Sequence, residues 1–214
     1  DFVFGSKFIA ATEEDYTRNY EQLASDPEWR SLVLSLGGMQ GGDGNVRAIY
    51  DDHDYGLNNG DRTLPMKRIA QKFFWDFMSL PDDSPRRAVD GVYNSKTFTV
   101  SVPDLLATCS ANKSANGTCE ATTRELRYKV ILLDGRTHKD PKPGTRAARE
   151  HAHDADRSRA FGDNLGDFLG EEQWHWLAEE LMDPAPLDLI LLGSGVQLLT
   201  QDKVLEETWE EFPH

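Results

Sequence analysis

The stretch RYKVILLDGR, Arg127–Arg136, decides the fold class of this chain. Its middle is a nearly continuous aliphatic run, and Asp134 and Arg136 follow that run directly. A short apolar run of this kind is typical of a strand buried on both faces of a sheet. The pattern therefore predicts an inner strand with polar residues at its carboxyl end.

Three other stretches predict further strands. The run LDLILLGSGVQLL at 187–199 predicts a second buried strand followed by a Gly-Ser turn. The alternating GVYNSKTFTVSV at 91–102 predicts a strand or a hairpin arm. The short VRAIY at 46–50 contains β-branched residues and predicts a strand that ends where an acidic cluster begins.

Helical signals lie between these strands. Thr12, with Asp15 three residues later, predicts the start of a helix over 12–24, and Pro27 opens a second helix. The segment GEEQWHWLAEELMD at 170–183 predicts another helix. An apolar stripe at helical spacing predicts one more, closed by a proline; it comprises Ile69, Phe73, Phe77 and Leu80.

The alternation of helices and strands predicts an α/β fold with a parallel or mixed sheet. A chain of 214 residues can bury one sizeable core, so we expect a single domain over 1–214. Within it we interpret 109–119 as a Cys-bounded insertion loop. The segment 137–167 is rich in charge, Pro and Gly, which predicts a long excursion from the sheet.

Composition limits the classes of partner. The net charge is -14, and nonspecific affinity for nucleic acid depends on basic residues that neutralise phosphates, so we expect no nucleic-acid-binding surface. No apolar run approaches the roughly 18 residues of a membrane span. An acidic chain of this kind suits a protein that binds cations, and we expect it to be a monomer.

The segment CSANKSANGTC contains both cysteines and two glycosylation acceptors. Cys109 and Cys119 bound a polar loop in which Asn112 and Asn116 each begin an Asn-X-Ser/Thr sequon. A local disulfide fits this loop, and the two sequons favour a secreted or secretory-pathway protein. The alternative interpretation is a cytosolic loop with two unbonded thiols.

The segment YDDHDYGLNNGD at 50–61 contains four aspartates, one histidine and two asparagines, with no basic residue before Arg62. Carboxylate and amide oxygens with one imidazole suit hard or borderline cations such as calcium, manganese, iron or zinc. The spacing does not fit an EF-hand. A metal site beside a histidine is typical of metal-assisted hydrolysis. The alternative is a solvated acidic loop.

The same cluster resembles the DDH[DE] segment of the alkaline phosphatase D family, which belongs to the metallophosphoesterases. The stretches GVYNSKTF, VILLDGRTHKD, FLGEEQWHWLAEEL and LILLGSGVQLL fit that family in the same order, so the resemblance covers most of 16–212. It implies a layered sandwich of two mixed β-sheets flanked by helices. It also implies hydrolysis of a phosphate monoester or diester, with calcium and iron as cofactors; another divalent metal would suit the same ligands.

The resemblance also implies roles for individual residues. Asp52 and Asn58 match metal-binding positions, and Tyr16 or Tyr20 matches a phenolate that holds iron. His53 matches the histidine placed against the substrate phosphate. We expect Asp52, His53 and Asn58 to share one pocket. We expect the carboxylates of Asp51, Asp54 and Asp134 to orient the histidine and the backbone. Arg136 is expected on the rim of the site, where it meets the phosphate; the alternative is an ion pair of Arg136 with Asp134 or Asp140.

Two features of the family do not occur in the chain. An early Gly-Asp segment that supplies the bridging aspartate and a late Gly-Asp-X-His segment are both missing. The chain therefore resembles the interior of a family domain, and we expect the 214 residues alone to be at most feebly active although the parent protein is an active phosphatase. The alternative is a non-catalytic, cation-binding secreted glycoprotein that keeps the fold without a complete site.

Overall fold

A computed structural model of the chain describes residues 12–39, 45–104, 123–142, 166–199 and 207–212. These residues form five α-helices and three β-strands, with short 3-10 turns at Pro85–Ala88 and Trp209–Glu211. The helices are α1 (Glu13–Ser25), α2 (Pro27–Ser35), α3 (Asp52–Tyr55), α4 (Lys67–Phe77) and α5 (Glu171–Met182). The strands are β1 (Asn94–Pro103), β2 (Thr123–Leu133) and β3 (Leu189–Ser194).

The three strands form one mixed sheet with β2 in the middle. β1 pairs antiparallel with β2, with Asn94 opposite Leu132, and β3 pairs parallel with β2, with Leu133 opposite Ser194. The parallel pair brings the carboxyl ends of β2 and β3 to the same edge of the sheet. The predicted mixed α/β fold is confirmed at this level.

Local sequence signals explain the first two helices. The Thr12 hydroxyl accepts a hydrogen bond from the Asp15 backbone N–H, and the Asp15 carboxylate accepts one from the Thr12 backbone N–H. This capping box satisfies two donors that the first turn would otherwise leave unbonded. α2 begins with Asp26 as its cap, which accepts from the Trp29 N–H at 2.8 Å, and with Pro27 in the first turn. Both predicted helix starts are confirmed.

The helix α4 is where its apolar sequence predicts a helix, but its buried face is rotated from the predicted stripe. Ala70, Phe74 and Trp75 are buried, whereas Ile69, Phe73 and Phe77 are only partly buried at the border of the core. Leu80, which follows the end of α4, is buried in the core, so one residue of the predicted stripe lies in the core and three lie at its border. Aromatic residues on adjacent turns make both faces compatible with helical spacing, and packing selects between them.

Two hydrophobic clusters hold the structure. The first joins α1, α3 and α4 and is rich in aromatic residues, among them Tyr16, Tyr50, Tyr55, Phe74 and Trp75. The second lies between the sheet and α5 and contains Ile131, Leu133, Phe168, Leu169 and Leu177. The carboxyl end of β2 leads out of the second cluster towards the first.

Three strand predictions need correction. The segment 46–50 forms no strand, because its backbone joins no ladder, although Val46, Ala48 and Ile49 pack against the first cluster. β2 has only one fully buried face near its end, formed by alternate residues. β3 is an exposed edge strand rather than a buried one: Leu189 is 48% exposed and Leu191 46%. Aliphatic content alone therefore overstated burial in both strands.

The predicted excursion at 137–167 begins inside the fold. Thr137, Lys139 and Asp140 are buried, and the Asp140 N–H donates to the Asp167 carbonyl at 2.8 Å. The described ends of the segment are therefore tied together, while 143–165 lies outside the described residues. The predicted disulfide and both predicted glycosylation sites also lie outside them. None of the helices in the described ranges has the length and apolar composition to cross a bilayer.

Candidate functional site

The acidic cluster folds as the short helix α3 followed by a tight loop. The Asp51 backbone N–H donates to the Asp54 carboxylate at 3.4 Å, so Asp54 closes the start of the helix. Gly56 ends it with a φ of 119°, in the left-handed region that favours glycine. The loop then turns back, and this local structure places Asp52, His53 and Asn58 next to one another.

Asp52 is the centre of this loop. Its two carboxylate oxygens accept hydrogen bonds from the backbone N–H groups of His53 and Asn59, each at 2.8 Å. His53 Nε2 lies 3.1 Å from Asn58 Oδ1. The carboxylate, the imidazole and the amide are therefore pre-arranged by the backbone of one twelve-residue segment.

These side chains line a polar cavity of about 330 Å³. The sequence-predicted residues that line it are Asp51, Asp52, His53, Asn58 and Arg136. The opposite wall comes from the loop after β3 and from the last described segment, with Gln197 and Glu207. Residues more than 150 positions apart in the chain thus surround one space at the carboxyl edge of the sheet.

Arg136 is a buried part of the wall rather than a residue on the rim. Its Nη2 lies 2.6 Å from Asp51 Oδ1, and its Nη1 lies 2.7 Å from Glu207 Oε2. Burial by itself would lower the pKa of the guanidinium, but the charges of Asp51 and Glu207 outweigh it and raise that pKa. The alternative prediction, an ion pair of Arg136 with Asp134 or Asp140, is wrong. Asp140 instead pairs with Arg62 at 2.5 Å.

Glu207 and Lys139 are site residues that sequence reasoning missed. Lys139 is 1% exposed, and its ammonium group donates to Glu207 and to the Asn59 carbonyl. Burial lowers the pKa of Lys139, helped by the charge of Arg136 and opposed by Glu207. Lys139 lies in the stretch VILLDGRTHKD, but the family resemblance gives it no role, and none of the stretches that carry the resemblance contains Glu207.

Asp134 organises the backbone at the end of β2 and does not orient His53. Its carboxylate accepts hydrogen bonds from the backbone N–H groups of Val92, Arg136 and Thr137, and from the Thr137 hydroxyl at 2.6 Å. Asp51 likewise pairs with Arg136 instead of the imidazole. Asp134 therefore orients the backbone, as expected, and Asp51 holds the Arg136 guanidinium, whereas neither carboxylate orients the histidine.

The structure places Tyr16 in the first hydrophobic cluster rather than among the described residues that line the cavity. Its hydroxyl donates to the Tyr55 carbonyl at 2.7 Å, and burial raises its pKa well above the ordinary value. Tyr20, the alternative, is also buried, and burial raises its pKa as well. The Asp54 side chain lines the pocket that Tyr20 also lines, and burial raises the pKa of its carboxyl group.

The cavity offers the types of ligand atom that a hard cation prefers, but it offers too few of them. Among the described residues, no Lys or Arg nitrogen lies within 4.0 Å of the Asp52 carboxylate, and the His53 Nε2 lies 4.0 Å from Asp52 Oδ1. Within the same ranges, no group of three or more His, Cys, Asp or Glu side chains is arranged to hold a metal ion. Glu207, another acid that lines the cavity, is already held by Lys139 and Arg136. The described part of the chain therefore offers only a partial ligand set.

No protein-family model matches the sequence, and neither the curated proteins nor the solved structures include one that is significantly similar to it.

Proposed function

We propose that the protein is a metal-dependent phosphoric ester hydrolase of the alkaline phosphatase D type. One observation carries the proposal: the Asp-Asp-His segment and the arginine after β2 meet around one polar cavity, as a phosphoesterase site requires. The resemblance of Tyr50–Asp61 and of the later stretches to that family supports it independently. The two-sheet sandwich of that family, secretion and a monomeric state belong to the same proposal.

Asp52 and Asn58 are the described residues that would contribute oxygen ligands to a calcium, iron or other divalent ion. When bound, such an ion supplies Lewis-acid polarisation of a phosphoryl oxygen and a lowered pKa for water. The missing ligands would have to come from parts of the chain outside the described residues or from outside the 214-residue sequence.

The protein's own groups have separate tasks in this proposal. His53, held against Asn58 at 3.1 Å, is within reach of the cavity and can exchange a proton with a leaving-group oxygen. Arg136 directs its guanidinium donors to Asp51, Glu207 and the Gly60 carbonyl, and the two carboxylates offset its positive charge. Its role is to position the acidic loop against the sheet rather than to grip the substrate with both donors.

A second candidate function follows from the incomplete ligand set. A non-catalytic cation-binding glycoprotein would keep Asp52 and the cavity without a second metal. The absence of a three-ligand group among the described residues favours this candidate for the 214-residue chain taken alone. The two candidates differ in turnover, and both include a cation at Asp52.

The test is hydrolysis of p-nitrophenyl phosphate and bis-p-nitrophenyl phosphate with added calcium and iron. It should use the 214-residue chain and the protein translated from its whole reading frame. We expect chelator-sensitive turnover by the whole protein, at least a hundredfold loss in D52N, and feeble activity of the 214-residue chain. The matched control is D82N, since Asp82 is a fully exposed carboxylate. Absence of metal-dependent turnover in the whole protein, or full activity of D52N, would reject the hydrolase.

A further inference from the structure

The Asp52 carboxylate is tied to the loop that follows α3. Its Oδ1 accepts a hydrogen bond from the backbone N–H of His53, which is the next residue, so this bond does not connect the carboxylate to another part of the loop. Its Oδ2 accepts from the backbone N–H of Asn59 at 2.8 Å. The second bond therefore fixes the direction of the carboxylate relative to the rest of the cavity.

Asn59 has an unusual backbone conformation. Its φ is 55°, in the left-handed region, and within the described ranges Ser79 is the only other non-glycine residue with a positive φ. Asparagine adopts this region more readily than most residues do, but the conformation still costs free energy. The Asn59 side chain is exposed, so contacts of the backbone, and not burial of the side chain, hold this conformation.

Lys139 supplies one of these backbone contacts. Its side chain is 1% exposed, and its Nζ donates to the Asn59 carbonyl at 3.1 Å. The backbone carbonyl of Lys139 accepts from the Arg62 N–H at 2.9 Å. Lys139 therefore holds the loop at two points, with a side-chain donor at Asn59 and a main-chain acceptor at Arg62.

The Lys139 ammonium group is held in place by a second buried partner. It donates to Glu207, whose side chain is 5% exposed and also pairs with Arg136. A long side chain with two buried partners loses its rotamer freedom, so the Asn59 carbonyl meets a donor in a fixed position. The N–H and the carbonyl of Asn59 flank the same φ and ψ bonds. Fixing the carbonyl therefore limits the directions in which the N–H can point.

We propose that Lys139 is a positioning residue for the Asp52 carboxylate. It acts through the backbone of Asn59, whose carbonyl accepts from the ammonium group and whose N–H donates to Asp52 Oδ2. Lys139 is not among the described residues that line the acidic cavity, so its action is indirect. The consequence for a cation at Asp52 rests on the proposed function, whereas the coupling of Lys139 to Asp52 through Asn59 does not.

The test compares K139M/E207Q with E207Q. The double substitution removes the ammonium group without leaving Glu207 as a buried charge that has lost a partner. E207Q alone keeps the contact of Lys139 with Asn59, so the difference between these two variants isolates that contact. K72M is the matched surface control, because the Lys72 side chain is 64% exposed.

The first measurement is amide hydrogen exchange of Asn59 by NMR, which needs neither a cation nor a substrate. We expect the Asn59 N–H to be protected in the unmodified chain. Relative to the Ala70 and Phe74 amides of α4, it should exchange about tenfold faster in K139M/E207Q than in E207Q, as the loss of one hydrogen bond predicts. K72M should leave its rate unchanged. An unprotected Asn59 N–H in the unmodified chain, or equal rates in the two variants, would overturn the proposal.

The second measurement is the affinity of the same variants for Mn²⁺ by isothermal titration calorimetry. If Lys139 acted by its charge alone, its removal would tighten the binding of a cation nearby. Loss of an orienting contact should instead weaken binding about tenfold. Tighter binding by K139M/E207Q than by E207Q, or an unchanged Kd, would overturn the positioning role. Lack of Mn²⁺ binding by the unmodified chain would count against the proposed function, and the exchange rates would still decide the role of Lys139.

Discussion

The Arg136 guanidinium lies 2.6 Å from the Asp51 carboxylate, although 85 residues separate them in the chain. The pair joins the acidic loop to the end of the central strand. Glu207 completes the group from near the end of the described chain. Arg136 therefore neutralises part of the negative charge at 51–54.

Arg136→Gln should destabilise the fold strongly. The substitution leaves Glu207, whose side chain is 5% exposed, with Lys139 as its one cationic partner among the described residues, and it removes the ion pair of Asp51. Breaking a buried ion pair from one side typically costs about 3 to 5 kcal/mol. Urea denaturation followed by circular dichroism measures the change. R124Q, on a half-exposed arginine, is the control and should stay within about 0.5 kcal/mol of the unmodified chain.

Asp134→Asn should destabilise the end of β2. One carboxylate oxygen accepts from the backbone N–H groups of Arg136 and Thr137, and the other from the Val92 N–H and the Thr137 hydroxyl, so either orientation of the amide points an N–H₂ group at one or more backbone N–H donors. Leaving buried donors unsatisfied costs about 1 to 3 kcal/mol per group. We expect a loss of more than about 2 kcal/mol and faster hydrogen exchange at the Val92 and Thr137 amides. Unchanged exchange at those two amides would contradict the role assigned to Asp134.

Gly195→Ala should disturb the acidic site through Asp51. A Cβ atom at position 195 would lie 2.9 Å from Asp51 Cγ, closer than real Cβ contacts allow. Overpacking of this kind typically costs about 1 to 3 kcal/mol. A double-mutant cycle with Asp51→Ser provides the check, because the smaller side chain removes the clash. The cost of the alanine should then fall, whereas additive effects would show that the contact is not responsible.

The protein should unfold at alkaline pH because of its buried tyrosines. Burial raises the pKa of Tyr16, Tyr20, Tyr50 and Tyr55 above the usual value of 10.0. The unfolded chain loses these protons first, so their contribution to stability is complete below pH 10 and decreases as pH rises above it. Titration at 295 nm should show their ionisation only together with unfolding. Reversible ionisation of all tyrosines near pH 10 in folded protein would contradict this.

Tyr16→Phe separates the two roles of one of these hydroxyls. Loss of the hydrogen bond to the Tyr55 carbonyl should cost about 1 kcal/mol at neutral pH. The same variant should lose stability less steeply above pH 10, because one fewer proton is released on unfolding. The two curves of unfolding free energy against pH should therefore converge. Parallel curves would show that Tyr16 ionises normally in the folded protein.

Much of the helical structure could be predicted from local chemistry. Thr12 with Asp15, and Asp26 with Pro27, satisfy the free N–H groups of a first turn within a few residues, so the signal and the structure occupy the same stretch. The acidic loop is similar, because Asp52 bonds to backbone groups at positions 53 and 59. Those interactions depend on neighbouring residues alone.

Other features required the tertiary structure. Whether 46–50 joins a sheet, and how far Leu189 and Leu191 are exposed, depends on which strands and layers lie beside them, and aliphatic letters carry no information about that. Nor does any pattern near Lys139 or Glu207 indicate that they meet under the acidic loop. A short-range hydrogen bond depends on residues that are close in the sequence, so the sequence predicts it. A buried ion pair between distant segments forms only after the sheet brings them within about 4 Å of each other.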